Sequence, residues 1–400
     1  MTDRAITPEL RALVREIRDR EFPWTAATTY LNNASVGPVP ERTRRALEAF
    51  NAKRTAPHLL PDRELQPLLD AARETAARLI GAEAAEIALT PNTSTGLNVA
   101  ARALPLTPGD VVLVSDREFP ANVYPWLALR ARGVVVELVP VTTEGFPDED
   151  RLVERLADPR VRVLAVSYVQ FSNGYRADLA RLGAACRATG AFLVVDAIQG
   201  LGAAPLDVRD VPVDLLACGG QKWLLSPWGT GFLFVRKGLV AQLEPVAVGW
   251  MAFEGTDDFT NLTRYSDTLR PNARRFEVGA AFQDQLGFTT SVGLLLDLGI
   301  LAIDAYTRAL GAPVLAWAAE RGVRVVSPMD ARHRSAIVCV APPEPRETHR
   351  RLRRAGIVCS LREGAIRLAP HFYNTMEEME RVVEVLDEVM RDGSWARGDT

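Results

Sequence analysis

Apolar residues follow two rhythms along this chain. Some form short unbroken runs: Asp110 to Ser115, the VRVLAV stretch, Ala191 to Val195 and Val213 to Cys218. Runs without polar alternation read as strands covered on both faces, the habit of a mostly parallel sheet. Between them lie segments with helical spacing. Thr7-Pro8 opens the amphipathic helix ELRALVREIRDR, expected to pack on the C-terminal part of the chain. A helix from Leu65 to Ile80 closes at Gly81, Glu86 to Leu89 is a short strand, and hydroxyl residues open a helix in PNTSTGLNVAARAL. Beyond a helical run from Phe282 to Ala309, the pieces RVVS, AIVCVA, IVCSL and AIRLAP alternate with helices. The last helix starts at Thr375, with Glu378 completing a capping box. The expected class is α/β: a large domain over 30–285 with a mostly parallel sheet, and a smaller α/β domain built from 1–29 and 286–400.

In parallel sheets, ligands gather at the carboxyl ends of strands. The run from Ala191 ends on Asp196, and the run from Val213 ends in Gly219-Gly220-Gln221 and then Lys222. An acid and an amine held there suit a cofactor with a ring nitrogen to keep protonated and an aldehyde to capture. Lysine usage sharpens this. The chain has Lys53 in a polar helical pattern, Lys237 in the turn Arg236-Lys237-Gly238, and Lys222 among glycines and apolar segments. The first two fit solvated surface amines. Burial lowers the pKa of an amine and makes it a nucleophile and base, which singles out Lys222.

With 400 residues, 48% hydrophobic and 24% charged, the chain is large enough for two domains around a substantial core. A net charge of -3 gives no general attraction to nucleic acid or an anionic membrane. No apolar run approaches the roughly 18 residues of a membrane span, and the charged N-terminal stretch lacks a signal-peptide pattern, so a cytoplasmic protein is expected. Cys186, Cys218, Cys339 and Cys359 show no CxxC spacing and the histidines are isolated, so neither disulfides nor a metal site is expected. Neither a dinucleotide fingerprint nor a P-loop occurs.

The segments VVDAIQ and GGQKWLLSPWGTGFLFVR resemble the class V aminotransferase family, the fold-type I pyridoxal-phosphate (PLP) enzymes that include cysteine desulfurases, kynureninase and isopenicillin N epimerase. The resemblance spans about residues 30 to 390 and implies the fold-type I PLP-dependent transferase fold. It implies that Lys222 forms the internal aldimine with PLP and that Asp196 binds the pyridine nitrogen, keeping the ring an electron acceptor. Gln199 would lie near the phenolic oxygen. Gln221 stands in the cofactor site where many relatives have histidine. Thr93 and Ser94, at a helix N-terminus, would bind the phosphate. Phe119 takes the place of a stacked histidine and offers a flat apolar face. Tyr168, at a strand end, would reach the cofactor oxygen or the substrate.

YLNNA followed by G-x-x-P resembles the family's active-site entry, with Asn33 orienting the substrate carboxylate. Arg367, before PHFYNT, resembles the arginine that grips that carboxylate, a bidentate partner of the right shape. The segment RFEVGA resembles one that reaches the partner subunit's phosphate in relatives, here with Ala280 in place of threonine, and implies a homodimer. Gly249 to Asn272, aromatic and polar without a period, is expected to be a substrate-pocket loop.

The expected substrate is a small amino acid that displaces Lys222, forms an external aldimine and loses its Cα proton to that lysine. Elimination, transamination and epimerisation share these residues. In desulfurases resembling this chain, the reactive cysteine sits on a long loop well before the carboxylate-binding arginine. Here LREG leaves room for a tight turn alone, and alternation puts Cys359 with Ile357 and Leu361 on an apolar face, where thiols are inert. The expectation is therefore a Cβ–X or Cα–Cβ lyase without a persulfide cysteine, with an aminotransferase or epimerase next. A binding protein that kept the fold and lost the chemistry is the remaining alternative; Lys222, Asp196 and Arg367 together argue against it.

Overall fold

The structure, a computed structural model, describes residues 7–279 and 281–392. Helix α1 (Pro8–Glu21) and strand β1 (Thr29–Tyr30) come first, then α2 (Glu41–Arg54), α3 (Leu65–Ile80) and β2 (Ile87–Leu89). Strands and helices next alternate: α4 (Thr93–Ala103), β3 (Val111–Ser115), the short α5 (Tyr124–Leu127), β4 (Val135–Val139), α6 (Glu149–Arg155), β5 (Val161–Ser167), α7 (Leu179–Thr189) and β6 (Phe192–Asp196). Strands β7 (Leu215–Gly219) and β8 (Gly231–Val235) lead through the one-turn α8 (Lys237–Val240) to a long irregular stretch. The C-terminal part holds α9 (Phe282–Leu298), α10 (Ile300–Leu310), α11 (Ala312–Glu320), β9 (Arg324–Val325), β10 (Val338–Ala341), α12 (Pro345–Arg354), β11 (Ile357–Val358), β12 (Ser360–Arg362), β13 (Ala365–Leu368) and α13 (Met376–Arg391).

Seven strands form the large sheet in the order β2-β8-β7-β6-β5-β3-β4. Strand β8 runs antiparallel to both neighbours, and the pairs from β7 to β4 are parallel. The apolar runs are buried on both faces, as the absence of alternation implied. On β6, Leu193 and Val195 face one core layer and Val194 the other; Leu164 and Ala165 divide in the same way on β5. Parallel connection brings the ends of β5, β6 and β7 to one edge, with Ser167 opposite Asp196 and Asp196 opposite Ala217. Helix α4 lies close under β7 because residue 96 is glycine: a Cβ there would sit 2.7 Å from that of Ala217.

A third core layer joins Val14 of α1 and Leu31 to residues of α10 to α13 around the antiparallel sheet β12-β13-β10-β9. Thr7 caps α1, and Arg18 ties it to α13 through Glu378 at 2.8 Å. Thr375 and Glu378 close their capping box at the start of α13. The expected boundary after residue 285 falls inside α9. The buried face of that helix, Phe288, Val292 and Leu295, lies in the large core with Leu69 and Ala76 of α3. Gly299, with φ 81°, ends α9 and turns the chain into α10, so the expected continuous run is two helices. No single helix among the described residues is long and apolar enough to cross a membrane.

One buried ion pair clamps the edge of the large sheet. Arg73 of α3 meets Glu277 in a bidentate contact, Nε to Oε1 at 2.9 Å and Nη2 to Oε2 at 2.7 Å, and the Leu89 N–H of β2 donates to the same carboxylate at 3.0 Å. Both side chains are almost fully covered. Arg73 Nη1 also meets Asp70 at 2.7 Å, so it is removal of the arginine that strands a charge, the Glu277 carboxylate, in the core, at a cost of about 3–5 kcal/mol. Arg73→Met is therefore expected to lose about 3–5 kcal/mol in urea unfolding, and the double variant Arg73→Met, Glu277→Leu should recover part of it. A loss under about 1 kcal/mol would show that the pair is not needed.

Candidate active site

Asp196 is the last residue of β6 and is 2% exposed. The Ile198 N–H donates to its Oδ1 at 3.0 Å, and no other protein group donates to its carboxylate among the described residues. Burial pushes its pKa up to about 7; the Ile198 N–H and the Lys222 amine oppose this, and the buried Glu118 carboxylate adds to it. Lys222 stands in the turn after β7. Burial pulls its amine down to about 8, with Asp196 resisting and Arg367 assisting. Lys53 and Lys237 instead pair on the surface with Glu64 and Glu83, each at 2.9 Å.

The lysine turn is held from outside. Leu225, at φ 53°, takes a left-handed backbone that side chains resist, and its N–H returns to the Lys222 carbonyl at 3.1 Å. The Gly37 N–H donates to the Gln221 carbonyl at 2.9 Å. A Cβ on residue 37 would lie 2.0 Å from the Lys222 oxygen, so the G-x-x-P loop approaches this closely only as glycine.

A cavity of about 310 Å³ opens over these strand ends, lined by Asp196, Lys222, Gln199, Gln221, Thr93, Ser94, Phe119 and Arg367 among others. The Phe119 ring lies 5.4 Å from Lys222 Nζ and meets Phe171 edge-on at 5.2 Å. Gln199 is braced at both ends, donating to the Ala34 carbonyl and accepting from the Trp223 indole, each at 2.9 Å. Thr93 Oγ1 accepts the Gly219 N–H at 2.8 Å and so fixes the start of α4 to the end of β7. Asn92 caps that helix, accepting from the Thr95 N–H at 2.9 Å. The earliest N–H groups of the helix, which have no acceptor within it, and the exposed Ser94 flank the cavity.

Arg367, on β13, is 2% exposed. Its Nε donates to Ser360 at 3.1 Å, Nη1 to the Phe171 carbonyl at 2.7 Å and Nη2 to Ser35 Oγ at 2.8 Å. Burial lowers its pKa to about 10, yet it stays charged. Two of its five N–H groups remain for a ligand.

Three expectations need correction. Tyr168 does not line the cavity: its hydroxyl donates to the Pro205 carbonyl at 2.5 Å, and its ring fills the space a Cβ on Gly200 would need. Asn33 is fully buried away from the cavity, donating to the Ala369 carbonyl at 2.7 Å and accepting from Tyr373 at 2.8 Å. No residue of 249–272 lines the cavity. Ala280 lies outside the described residues. The cavity wall also holds Ser35, Asn92, Phe171, Trp228 and Arg362, with Glu118 behind Asp196, none of them among the residues expected from the sequence. Glu118 accepts from the Ser167 N–H and hydroxyl and from Gln170, and burial raises its pKa. Its position after a buried strand, as with Asp196, was the available signal.

All four cysteines are buried and none lines the cavity. Cys359 is 5% exposed in the core layer around the four-stranded sheet, and burial pushes its thiol up to about 12. The segment after it is the tight turn expected: Arg362 pairs with Ala365 across Glu363 and Gly364, whose φ values are 46° and 76°.

These residues fit pyridoxal phosphate. A buried carboxylate with an oxygen to spare, an amine poised near neutrality, a flat aromatic face and a helix N-terminus line one cavity. The family model described as "Aminotransferase class-V" matches residues 29–382. The chain belongs to the class V aminotransferase family. It is a PLP-dependent enzyme of that family, with the fold-type I architecture. Among its relatives, an uncharacterized aminotransferase, YcbU, of Bacillus subtilis is 31% identical over 78% of this chain and 81% of its own. An isopenicillin N epimerase of Streptomyces clavuligerus is 31% identical over 89% and 94%. The apo structure of a cysteine desulfurase from Thermococcus onnurineus NA1 superposes with a TM-score of 0.84 at 22% identity, covering 94% of this chain and 98% of that one. Among the described residues of this class V chain, no group of three or more His, Cys, Asp and Glu is placed to hold a metal ion.

The Asp196 carboxyl has a folded value of about 7, above its ordinary value of 3.8. The folded apoenzyme therefore keeps this proton longer than the unfolded chain does. The resulting stability is full below pH 3.8 and is lost as pH rises toward 7. The melting temperature of the apoenzyme, measured against Asp196→Asn, should fall by several degrees across that window. Parallel curves for the two proteins would show that the carboxyl is not perturbed.

Proposed function

We propose that Lys222 carries PLP in this cavity and that the enzyme breaks a Cβ–X or Cα–Cβ bond of a small amino acid whose carboxylate is held by Arg367. The observation that carries this reading is the convergence of Lys222, Asp196 and Arg367 on one cavity at the strand ends. PLP, when bound, supplies an electron-poor ring that takes up the charge left when a bond at a substrate Cα breaks. Asp196 would accept the ring N–H with its spare oxygen and keep that nitrogen cationic. Thr93, Ser94 and the start of α4 would hold the phosphate, and Phe119 and Gln199 would enclose the ring. Arg367, immobilised by three hydrogen bonds, offers its remaining N–H groups to the substrate carboxylate. Lys222, with its amine near neutrality, takes the Cα proton and returns one to the departing group.

The relatives bear the names aminotransferase, epimerase and desulfurase, so their names do not select a reaction. Support for a lyase without a persulfide comes from the cysteines: none lines the cavity, and Cys359 faces the small-domain core. Aminotransfer is the second reading, since Lys222 alone suffices to return a proton at the cofactor carbon.

Borohydride reduction and peptide mapping should place the pyridoxyl group on Lys222; label on Lys53 or Lys237 would overturn the assignment. Asp196→Asn should retain cofactor and lose about a hundredfold or more in turnover, because an amide cannot hold the pyridinium proton. Cys359→Ala should turn over at the wild-type rate. Loss of sulfur release from cysteine in that variant would bring back the desulfurase, and cofactor left in its amine form beside a keto acid would make the enzyme an aminotransferase.

A further inference from the structure

Arg362 lies at the end of β12 beside the hairpin turn and is exposed, yet it lines the cavity with Arg367. Elsewhere on the surface, arginines such as Arg44, Arg160, Arg209 and Arg332 pair with nearby carboxylates. Arg362 does not pair with its neighbour Glu363. Its Nη1 donates to the Leu361 carbonyl at 2.9 Å, and its Nη2 lies 3.5 Å from Ser35 Oγ, the hydroxyl that Arg367 Nη2 meets at 2.8 Å. Two guanidinium groups thus flank one hydroxyl. Each polar partner of either is a carbonyl or a hydroxyl, so among the described residues no carboxylate pairs with this positive charge. Its field reaches the reaction centre, since both arginines act on the Lys222 amine. Like charges brought together without an anion between them repel, and a ligand with two carboxylates would relieve both.

We propose that Arg362 forms a second anion subsite at the mouth of the cavity and that the substrate is a dicarboxylic amino acid, its α-carboxylate on Arg367 and its side-chain carboxylate toward Arg362. This rests on the reading of Arg367 given above. The cavity is small, about 310 Å³, and the cofactor shares it, so a distal substrate group is directed outward to the rim. The exposed residues of that rim are Arg362, Asn92, Ser94, Phe119 and Trp228, and Arg362 is the cation among them.

The test is calorimetric titration of the holoenzyme with succinate, glutarate and adipate, each set against the monocarboxylate of equal chain length. At least one dicarboxylate should bind about tenfold or more tightly than its partner. In Arg362→Ala, whose exposed position leaves folding intact by melting temperature, the advantage should vanish while monocarboxylate binding is unchanged. Arg367→Ala should weaken both classes. Equal binding of all pairs by the wild type, or a dicarboxylate advantage that survives Arg362→Ala, would overturn the proposal. Binding is read without turnover, so a failure to find PLP on Lys222 would refute the functional reading and leave this result to be judged separately.

Discussion

A carboxylate at the end of a buried strand, with one protein hydrogen bond and no cation in contact, is an unstable thing to fold. Asp196 is such a group. Its surroundings press it to hold a proton, and the nearby Glu118 deepens the stress. Much of the neighbouring structure limits the damage without removing it. The Ile198 N–H takes one oxygen, Ser167 and Gln170 occupy Glu118, and the Lys222 amine lies close enough to act through a medium of low dielectric. What remains is a site short of one positive hydrogen-bond donor. On the reading proposed above, a protonated pyridine would supply it, and cofactor binding would then relieve the strain.

The geometry of that site depends on a short irregular segment that belongs to no sheet layer. Residues 33–37 are anchored to the C-terminal segment through Ala369 and Arg367 and to the strand-end turns of the large sheet through Gln199 and Gln221. Ala34 braces the glutamine beside the acid, Ser35 braces the arginine, and Gly37 braces the lysine turn. One loop therefore sets the spacing between Arg367 and Lys222.

The sheet, the strand-end acid and the lysine were legible because burial writes itself into a local pattern: an apolar run interrupted by a charge has few structural explanations. The hairpin after Cys359 was legible for the same reason, since chain length and alternation left one arrangement. Local pattern does not place Tyr168 or Asn33, because a residue just past a strand end, like one in an irregular loop, can turn either way. The deciding features, the missing side chain of Gly200 and the hydroxyl of Tyr373, are distant in sequence. Ser35 and Arg362 went unseen because their meaning lies in contacts across the fold, and neither stands out among serines and arginines of ordinary surface pattern. The placement of α9 with the large core followed from packing on α2 and α3, which helical periodicity alone does not address.

The turn at Glu363 and Gly364 is as short as a hairpin connection allows, and its left-handed residues match the twist of the strands it joins. It is exposed, it carries no core residue, and it sits beside the cavity mouth. Chain length there is nearly independent of stability, because lengthening a surface loop costs little in closure entropy. An inserted segment would project over the opening and bring its own side chains, a thiol included, to a centre whose acid and lysine had not moved. In this architecture the repertoire of reactions can widen by lengthening one turn, with the expensive part of the fold untouched.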